Sequence, residues 1–131
     1  MTRSSVYDTR FFFEYFYSPN QAIIQALKLS LQTTGEKMVS ALTIYELHRL
    51  SLKKLDKATA KLRSRFIANE FKIINVDYEI ATRSAELSNE NKIPIADSII
   101  AATAIQEGCP LVSDDKHFRE IKDLKILWPI K

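Results

Sequence analysis

The sequence predicts an α/β fold, a three-layer α/β/α sandwich around a mostly parallel sheet of four to five strands. Short apolar runs alternate along the chain with longer segments of helical periodicity. The runs are far enough apart for a helix to lie between them, as crossovers between parallel strands require. Only two glycines and four prolines occur among 131 residues, which argues against a turn-rich all-β fold. A chain of this length is expected to form one domain, residues 1–131.

The first part of the chain contains two predicted strands and two predicted helices. Residues 4–8 form the first strand, and the aromatic segment 11–17 forms a short helix. Asn20 caps the next helix, whose apolar side chains recur with helical spacing. The sequence TTG at residues 33–35 ends this helix, and residues 37–41 form the second strand.

The middle of the chain predicts a helical hairpin of high positive charge, formed by residues 43–55 and 57–69. Between residues 49 and 65 there are seven basic side chains and one acid, Asp56, within a net charge of +3 for the whole chain. The segment therefore carries +6 and the remainder −3. Two interpretations stay open, a solvated hairpin and a surface that contacts nucleic-acid phosphates.

The last part of the chain predicts further strands and two helices. The strands lie at residues 72–76, 110–113 and 125–128. The first two of these are nearly unbroken apolar runs, typical of strands that are covered on both faces. Asp77 caps a helix over residues 78–91, and a helix rich in small residues over 95–107 ends at Gly108.

The sequence contains no pattern that predicts export or membrane insertion. Its one cysteine, Cys109, cannot form an internal disulfide. No apolar run approaches the roughly 20 residues that span a bilayer. Charged residues interrupt the aromatic segment near the start, unlike the apolar core of a signal peptide. We therefore expect a cytoplasmic protein.

Acidic side chains occur where a parallel sheet binds ligands, outside the carboxyl ends of its strands. Some directly follow a predicted strand, and others lie in the first turns of a helix that follows one. The candidate residues are Asp8, Glu46, Asp97, Ser113, Asp114 and Asp115. We expect them to converge on one edge of the sheet.

Such a cluster requires a compensating charge. Two carboxylates about 4 Å apart repel by roughly 4 kcal/mol at an effective dielectric constant of 20. Mg²⁺ or Mn²⁺ removes this repulsion, since both ions prefer carboxylate and water ligands. Such an ion activates water and binds phosphoryl oxygens. Beside a basic segment, the cluster indicates phosphodiester hydrolysis.

Each acid also has a structural interpretation when it is considered alone. Asp8 can cap the helix that follows it. Glu46 lies three residues after Thr43, which is the spacing of a capping box, and Asp97 complements a helix dipole. Asp114 and Asp115 can be a solvated pair in a loop. Only the set as a whole indicates a metal site.

Four segments, VYDT, VSALTIYEL, IPIADSIIAATAIQEG and LVSDDKHF, carry a resemblance over nearly the full chain. With these four segments in this order, the chain resembles the PIN-domain ribonucleases, most closely the VapC-type toxins of toxin–antitoxin pairs. The resemblance implies a PIN-like fold and an endoribonuclease that uses Mg²⁺ or Mn²⁺. It also implies an RNA substrate, a homodimer, and an antitoxin protein that blocks the site.

The resemblance also implies roles for individual residues. Asp8, Asp97 and Asp115 would hold an ion, and Glu46 would orient water or bind a second ion. Ser113 would help to orient ligands. The expected products carry 5′-phosphate and 3′-hydroxyl ends.

The chain departs from the family pattern at its closing motif. Asp114 and Asp115 compete for the fourth acidic position, and the spacing to Phe118 favours Asp115. Ser113 replaces the more usual threonine, and His117 replaces a frequent acid, which predicts a weaker second metal site. His117 is otherwise expected to be a surface residue.

Two other functions are consistent with parts of the sequence. A non-catalytic PIN-fold module could bind RNA in RNA processing or ribosome assembly, although it would have no reason to retain four repelling carboxylates. A phospho-receiver domain has a similar size, but it needs an acidic pair after its first strand. Here the pair, Asp114 and Asp115, follows the fourth predicted strand.

Overall fold

A computed structural model describes residues 3–130 of the chain. The described residues form a parallel sheet with helices on both faces, as predicted. The strands are β1 (Ser5–Tyr7), β2 (Lys37–Ser40), β3 (Lys72–Ile74), β4 (Leu111–Val112) and β5 (Ile126–Leu127). The helices are α1 (Thr9–Tyr17), α2 (Gln21–Thr33), α3 (Ala41–Lys54), α4 (Lys57–Glu70), α5 (Tyr78–Asn91) and α6 (Ile95–Glu107). A 3₁₀ turn, Lys116–Phe118, lies between β4 and β5.

The sheet has five strands in the order β3-β2-β1-β4-β5. Every paired strand is parallel to its neighbour. The chain leaves β1 towards β2 on one side and later returns to place β4 on the other side. The crevice beyond the carboxyl ends of β1 and β4 is therefore a topological switch point, where α/β sheets bind their ligands.

Alternating side chains of the strands enter two separate hydrophobic cores. Val6 and Leu111 pack in a core with residues of α5 and α6, such as Ile80 and Ile100. Three other strand residues face the opposite side and pack with helices α1 to α4. They are Tyr7, Val39 and Val112. The alternation explains how one short sheet supports helical layers on both faces.

The aromatic segment of α1 forms most of the second core. Phe11 and Phe12 are fully buried, and Phe11 meets the Tyr7 ring edge to face at a centroid distance of 4.7 Å. Phe12 meets Phe71, at the end of α4, in the same geometry at 5.1 Å. The aromatic run therefore anchors α1 to the sheet, with Phe13 exposed.

Local capping signals explain where most helices begin and end. The side chains of Asn20, Asp56 and Asp77 each accept hydrogen bonds from backbone N–H groups in the first turn of the next helix. Gly108 ends α6 with φ of 67°, a left-handed conformation that glycine adopts without a Cβ penalty.

The prediction that residues 72–76 form a strand covered on both faces is wrong. The strand β3 extends only over Lys72–Ile74, and it lies at the edge of the sheet. Lys72 and Ile73 are exposed. An apolar run indicates a strand but not its position in the sheet, and an edge position leaves one side open to water.

Helices α3 and α4 form the predicted basic hairpin, with every basic residue of the segment exposed except Arg63. The guanidinium of Arg63 lies over the rings of Phe16 and Tyr17, at 4.6 and 4.9 Å from their centroids. Among residues 3–130, none of the hairpin's basic side chains forms an ion pair with a carboxylate. The hairpin therefore presents uncompensated positive charge to solvent. Within the same residues, no helix is long and apolar enough to cross a membrane.

Candidate active site

Asp8 lies at the carboxyl end of β1, where the first strand passes into α1. One carboxylate oxygen, Oδ1, accepts a hydrogen bond of 2.8 Å from the backbone N–H of Thr9 and caps the helix. The other oxygen, Oδ2, accepts one of 2.6 Å from the hydroxyl of Ser113. Both expected roles of Asp8, as a cap and as part of the acidic set, are thus compatible in one side chain.

Burial makes the Asp8 carboxylate unusually basic. The residue is 2% exposed, and the loss of hydration raises the pKa of its carboxyl to about 7. The negative charges of Asp97 and Asp115 raise this pKa further, while the hydrogen bonds from Ser113 and Thr9 lower it. A buried carboxyl that shares its surroundings with two other acids is where a cation would be stabilised.

Ser113 connects β1 to the loop after β4. Its hydroxyl donates to Asp8 and accepts a hydrogen bond of 3.0 Å from the backbone N–H of Asp115. Asp115 in turn caps the 3₁₀ turn, because its Oδ1 accepts a hydrogen bond of 2.9 Å from the backbone N–H of His117. The backbone after β4 thereby orients Asp115, whose negative charge raises the pKa of Asp8.

Asp97 reaches the same place from the first turn of α6. The helix begins after Pro94, which makes no side-chain capping bond, and Asp97 lies in its first turn, where a negative charge also complements the helix dipole. Ala101 and Ala104 further along α6 are fully buried and allow the helix to pack closely. Partial burial, and secondarily the charge of Asp115, raises the pKa of the Asp97 carboxyl.

Glu46 is on α3 and lies farther from the other acidic side chains. Its Oε1 accepts a hydrogen bond of 2.6 Å from the hydroxyl of Thr9, which also lies 3.2 Å from the Thr43 hydroxyl. Burial raises the pKa of Glu46, with a smaller contribution from Asp97. Thr9 therefore orients Glu46 in the way that Ser113 orients Asp8.

The capping box expected at Thr43 and Glu46 is wrong. The residue that caps α3 is Ser40, whose hydroxyl accepts a hydrogen bond of 3.1 Å from the backbone N–H of Leu42. Thr43 is a fully buried residue inside the helix. Glu46 is therefore in the second turn and has no capping function that would account for its burial.

Asp114 forms an ion pair of its own. Its carboxylate pairs with the guanidinium of Arg10, with Nε 2.6 Å from Oδ1. Asp114 is exposed, whereas Asp115 is half-buried. Arg10, which directly follows the Asp8–Thr9 pair in sequence, thus has a carboxylate partner. The two adjacent acids thus have different surroundings, and Asp115 is the one beside Asp97.

His117, which was expected to be a surface residue and is 44% exposed at its side chain, also borders the cluster. Its Nδ1 lies 2.8 Å from Oδ2 of Asp97 and 3.1 Å from Oδ1 of Asp115. Its position two residues after Asp115 places it on the same 3₁₀ turn. This two-residue spacing from Asp115 is the signal in the sequence that places His117 near the acidic cluster.

The donor chemistry of the cluster fits a divalent cation. Within residues 3–130, ligand atoms of Asp97, Asp115 and His117 all lie within 4.8 Å of one another. Asp8 and Glu46 lie outside this tight group, but the negative charge of Asp97 contributes to the raised pKa of each. Burial and mutual repulsion raise the pKa values of these carboxyl groups, because they make the ionised forms unfavourable. A bound cation removes this free-energy cost.

A model of the PIN domain family matches residues 5–124. The chain therefore belongs to the PIN domain family, which confirms the family and the fold class expected from the four sequence segments. Comparison with curated protein sequences gives no match.

Several solved structures are similar to the chain over nearly all of its length. A toxin–antitoxin complex from Klebsiella pneumoniae has 26% sequence identity and a TM-score of 0.77, covering 97% of this chain and 98% of that one. VapBC-1 from nontypeable Haemophilus influenzae has 18% identity and a TM-score of 0.80, covering 98% and 99%. VapBC2 from Rickettsia felis, bound to a DNA fragment from its promoter, has 19% identity and a TM-score of 0.78, covering 95% and 98%. The last two structures share only 18% and 19% identity with the chain, so this similarity shows a common fold and nothing more.

Proposed function

We propose that the chain is an endoribonuclease that depends on Mg²⁺ or Mn²⁺ and that residues 1–131 form a single PIN domain. The observation that carries the proposal is the buried Asp8 carboxyl, whose pKa is raised to about 7 beside Asp97 and Asp115. Without a cation this arrangement costs stability. A reaction that depends on a bound metal ion would account for this arrangement of acids.

In this proposal Asp8, Asp97 and Asp115 hold the ion directly or through water. The bound ion would supply a lowered pKa for water and a positive charge next to a phosphoryl oxygen. Ser113 orients Asp8 and favours its ionised form by donating to Oδ2. Glu46, held by Thr9, would orient the attacking water or contribute to a second ion.

The basic hairpin is the proposed contact for the RNA backbone. Arg49 and Lys53 follow Glu46 by three and seven residues, so they lie on the same face of α3. Both are exposed, and the face leads away from the acidic cluster. A polyanion that passes over Glu46 would next meet these cations.

The decisive experiment compares wild-type protein with Asp97→Asn on an end-labelled RNA. Wild type should cleave with Mn²⁺ or Mg²⁺, leave 5′-phosphate and 3′-hydroxyl ends, and stop when EDTA is added. Asp97→Asn should lose activity by a factor of about 100 or more while retaining its circular dichroism spectrum. The exposed Asp123 lies near Ser4 and Pro110, at the amino ends of β1 and β4, and gives a matched control in Asp123→Asn.

Full activity of Asp97→Asn would overturn the assignment of the site. A wild-type protein that binds RNA, but neither binds Mn²⁺ in calorimetry nor cleaves, would instead favour a non-catalytic RNA-binding module.

We also propose that the nuclease is the toxin of a toxin–antitoxin pair in the cytoplasm. The support is the similarity to structures described as toxin–antitoxin complexes, including one at 26% identity over 97% of the chain. Co-expression with the product of a short neighbouring reading frame should restore the growth of cells that express the chain. Purified antitoxin should also inhibit RNA cleavage in stoichiometric amounts.

A homodimer is the proposed assembly. Ile95 is 75% exposed and Val76 is 42% exposed, and both line a cleft between α5 and α6. Apolar side chains exposed in this way favour contact with a second copy of the chain. Light scattering should give twice the monomer mass of 15.1 kDa, and Ile95→Lys should shift the protein to monomer.

A further inference from the structure

The position of His117 is set by the same turn that positions Asp115. The backbone N–H of His117 donates to Oδ1 of Asp115 across the 3₁₀ turn, which orients the Asp115 carboxylate beside the backbone of His117. The imidazole then points Nδ1 between carboxylates from two elements, Asp97 of α6 and Asp115 of the loop after β4. The histidine side chain remains 44% exposed, so its outer side is open to water or a phosphate.

The distances at Nδ1 match those between neighbouring ligands of one metal ion. Ligand bonds of about 2.1 Å at right angles place adjacent donor atoms about 3 Å apart. The Nδ1 atom lies 2.8 Å from Oδ2 of Asp97 and 3.1 Å from Oδ1 of Asp115. Since ligand atoms of the three residues all lie within 4.8 Å of one another, small side-chain movements are enough for one cation to contact all three.

We propose that Nδ1 of His117 is a ligand of the ion held by Asp97 and Asp115, so that the centre has mixed nitrogen and oxygen donors. The inference rests on the proposed metal-dependent function, because it adds a donor to the same ion. Mg²⁺ prefers oxygen ligands and gains little from an imidazole, whereas Mn²⁺, Co²⁺ and Zn²⁺ bind nitrogen increasingly well. The site therefore selects transition metals over Mg²⁺.

The direct test is pulsed electron paramagnetic resonance of Mn²⁺ bound to the wild-type protein. A directly bound imidazole nitrogen should produce a nitrogen hyperfine coupling. The coupling should disappear in His117→Ala and persist in His48→Ala. His48 is a matched control because its Nδ1 contacts the Ser64 hydroxyl between α3 and α4 instead.

Calorimetric titrations provide a second and independent readout. His117→Ala should weaken Co²⁺ binding by about tenfold or more, Mn²⁺ binding less, and Mg²⁺ binding by less than about threefold. His48→Ala should leave all three affinities unchanged. An equal loss for all three ions in His117→Ala would overturn the selectivity, since it would indicate a general effect on the site.

The outcomes separate this inference from the proposed function. Wild-type protein that binds Mn²⁺ without nitrogen coupling overturns the role of His117 and leaves the nuclease proposal intact. Nitrogen coupling in a protein that does not cleave RNA supports the ligand and overturns the nuclease.

Discussion

The hydroxyl of Ser113 donates a hydrogen bond of 2.6 Å to Oδ2 of Asp8, across 105 residues of sequence. Both residues are buried, and they lie at the carboxyl ends of adjacent strands. The bond opposes the effect of burial, because it stabilises the ionised form of Asp8 and lowers its pKa. By lowering the pKa of Asp8, Ser113 makes the carboxyl easier to deprotonate, as cation binding requires.

Ser113→Ala should weaken metal binding near neutral pH. Without the hydroxyl, the pKa of Asp8 rises above about 7, and a proton competes more strongly with the ion. We expect Mg²⁺ affinity at pH 7 to fall by about tenfold and the loss to shrink as pH rises, because Asp8 is ionised in both proteins at high pH. Calorimetry between pH 6.5 and 8.5 measures this.

Ser113→Thr is the matched control for this prediction, since it retains the hydroxyl. Its metal affinity should stay close to wild type at every pH. A tenfold loss that is independent of pH in Ser113→Ala would contradict a role through the pKa of Asp8.

The raised pKa of Asp8 also predicts an unusual pH dependence of stability. The folded state binds the Asp8 proton more tightly than the unfolded state, so its stabilising effect is complete below the ordinary pKa of 3.8 and is lost as pH rises through about 7. The loss amounts to about 4 kcal/mol. Asp8→Asn mimics the protonated form and can still cap α1.

Denaturant unfolding in EDTA checks this dependence. Asp8→Asn should be more stable than wild type at pH 8, and the difference should vanish towards pH 4. Saturating Mg²⁺ should reverse the order at pH 8, because only wild type retains the carboxylate. A difference that is constant between pH 4 and 8 would rule out the titration of Asp8 as its source.

The sequence predicted the elements of this fold because their signals are local. Apolar periodicity located the strands and helices, and Asn20 and Asp77 cap helices where the sequence placed them. The edge position of β3 was not predictable in this way, because it depends on the order of strands in the sheet. Burial on one or both faces is a property of the assembled sheet.

The details of the site required contacts between distant segments. Both Ser40 and Thr43 offer a hydroxyl near the start of α3, and sequence alone does not rank them as caps. Instead of capping the helix, Thr43 contacts the hydroxyl of Thr9, 34 residues earlier, which binds Glu46. The contact of His117 with Asp97, 20 residues away on another helix, likewise forms only in the folded chain.

The two adjacent acids after β4 should differ in their effect on cleavage. Asp115→Asn removes a carboxylate next to Asp97 and should reduce Mn²⁺-dependent cleavage by at least about 100-fold. Asp114→Asn breaks only the exposed pair with Arg10 and should leave cleavage within about threefold of wild type. Equal losses in the two variants would contradict the assignment of Asp115. Initial rates on one RNA measure both.

The basic face of α3 should make RNA binding depend on salt. Each phosphate contact of a single strand adds about 0.7 to the slope of log affinity against log salt concentration. The double variant Arg49→Gln/Lys53→Gln should therefore reduce this slope by about 1.4 and weaken binding most at low salt. Fluorescence anisotropy with catalytically inactive Asp97→Asn protein measures affinity without cleavage.

The matched control for this prediction is Lys122→Gln/Lys125→Gln, which removes the same charge from exposed positions near β5. Both double variants lower the net charge of the protein equally, so a general electrostatic effect would reduce the slope by the same amount in each. A local contact along α3 reduces it only in the first. If both variants keep the wild-type slope, the hairpin is a solvated surface and the RNA follows another path from the acidic cluster.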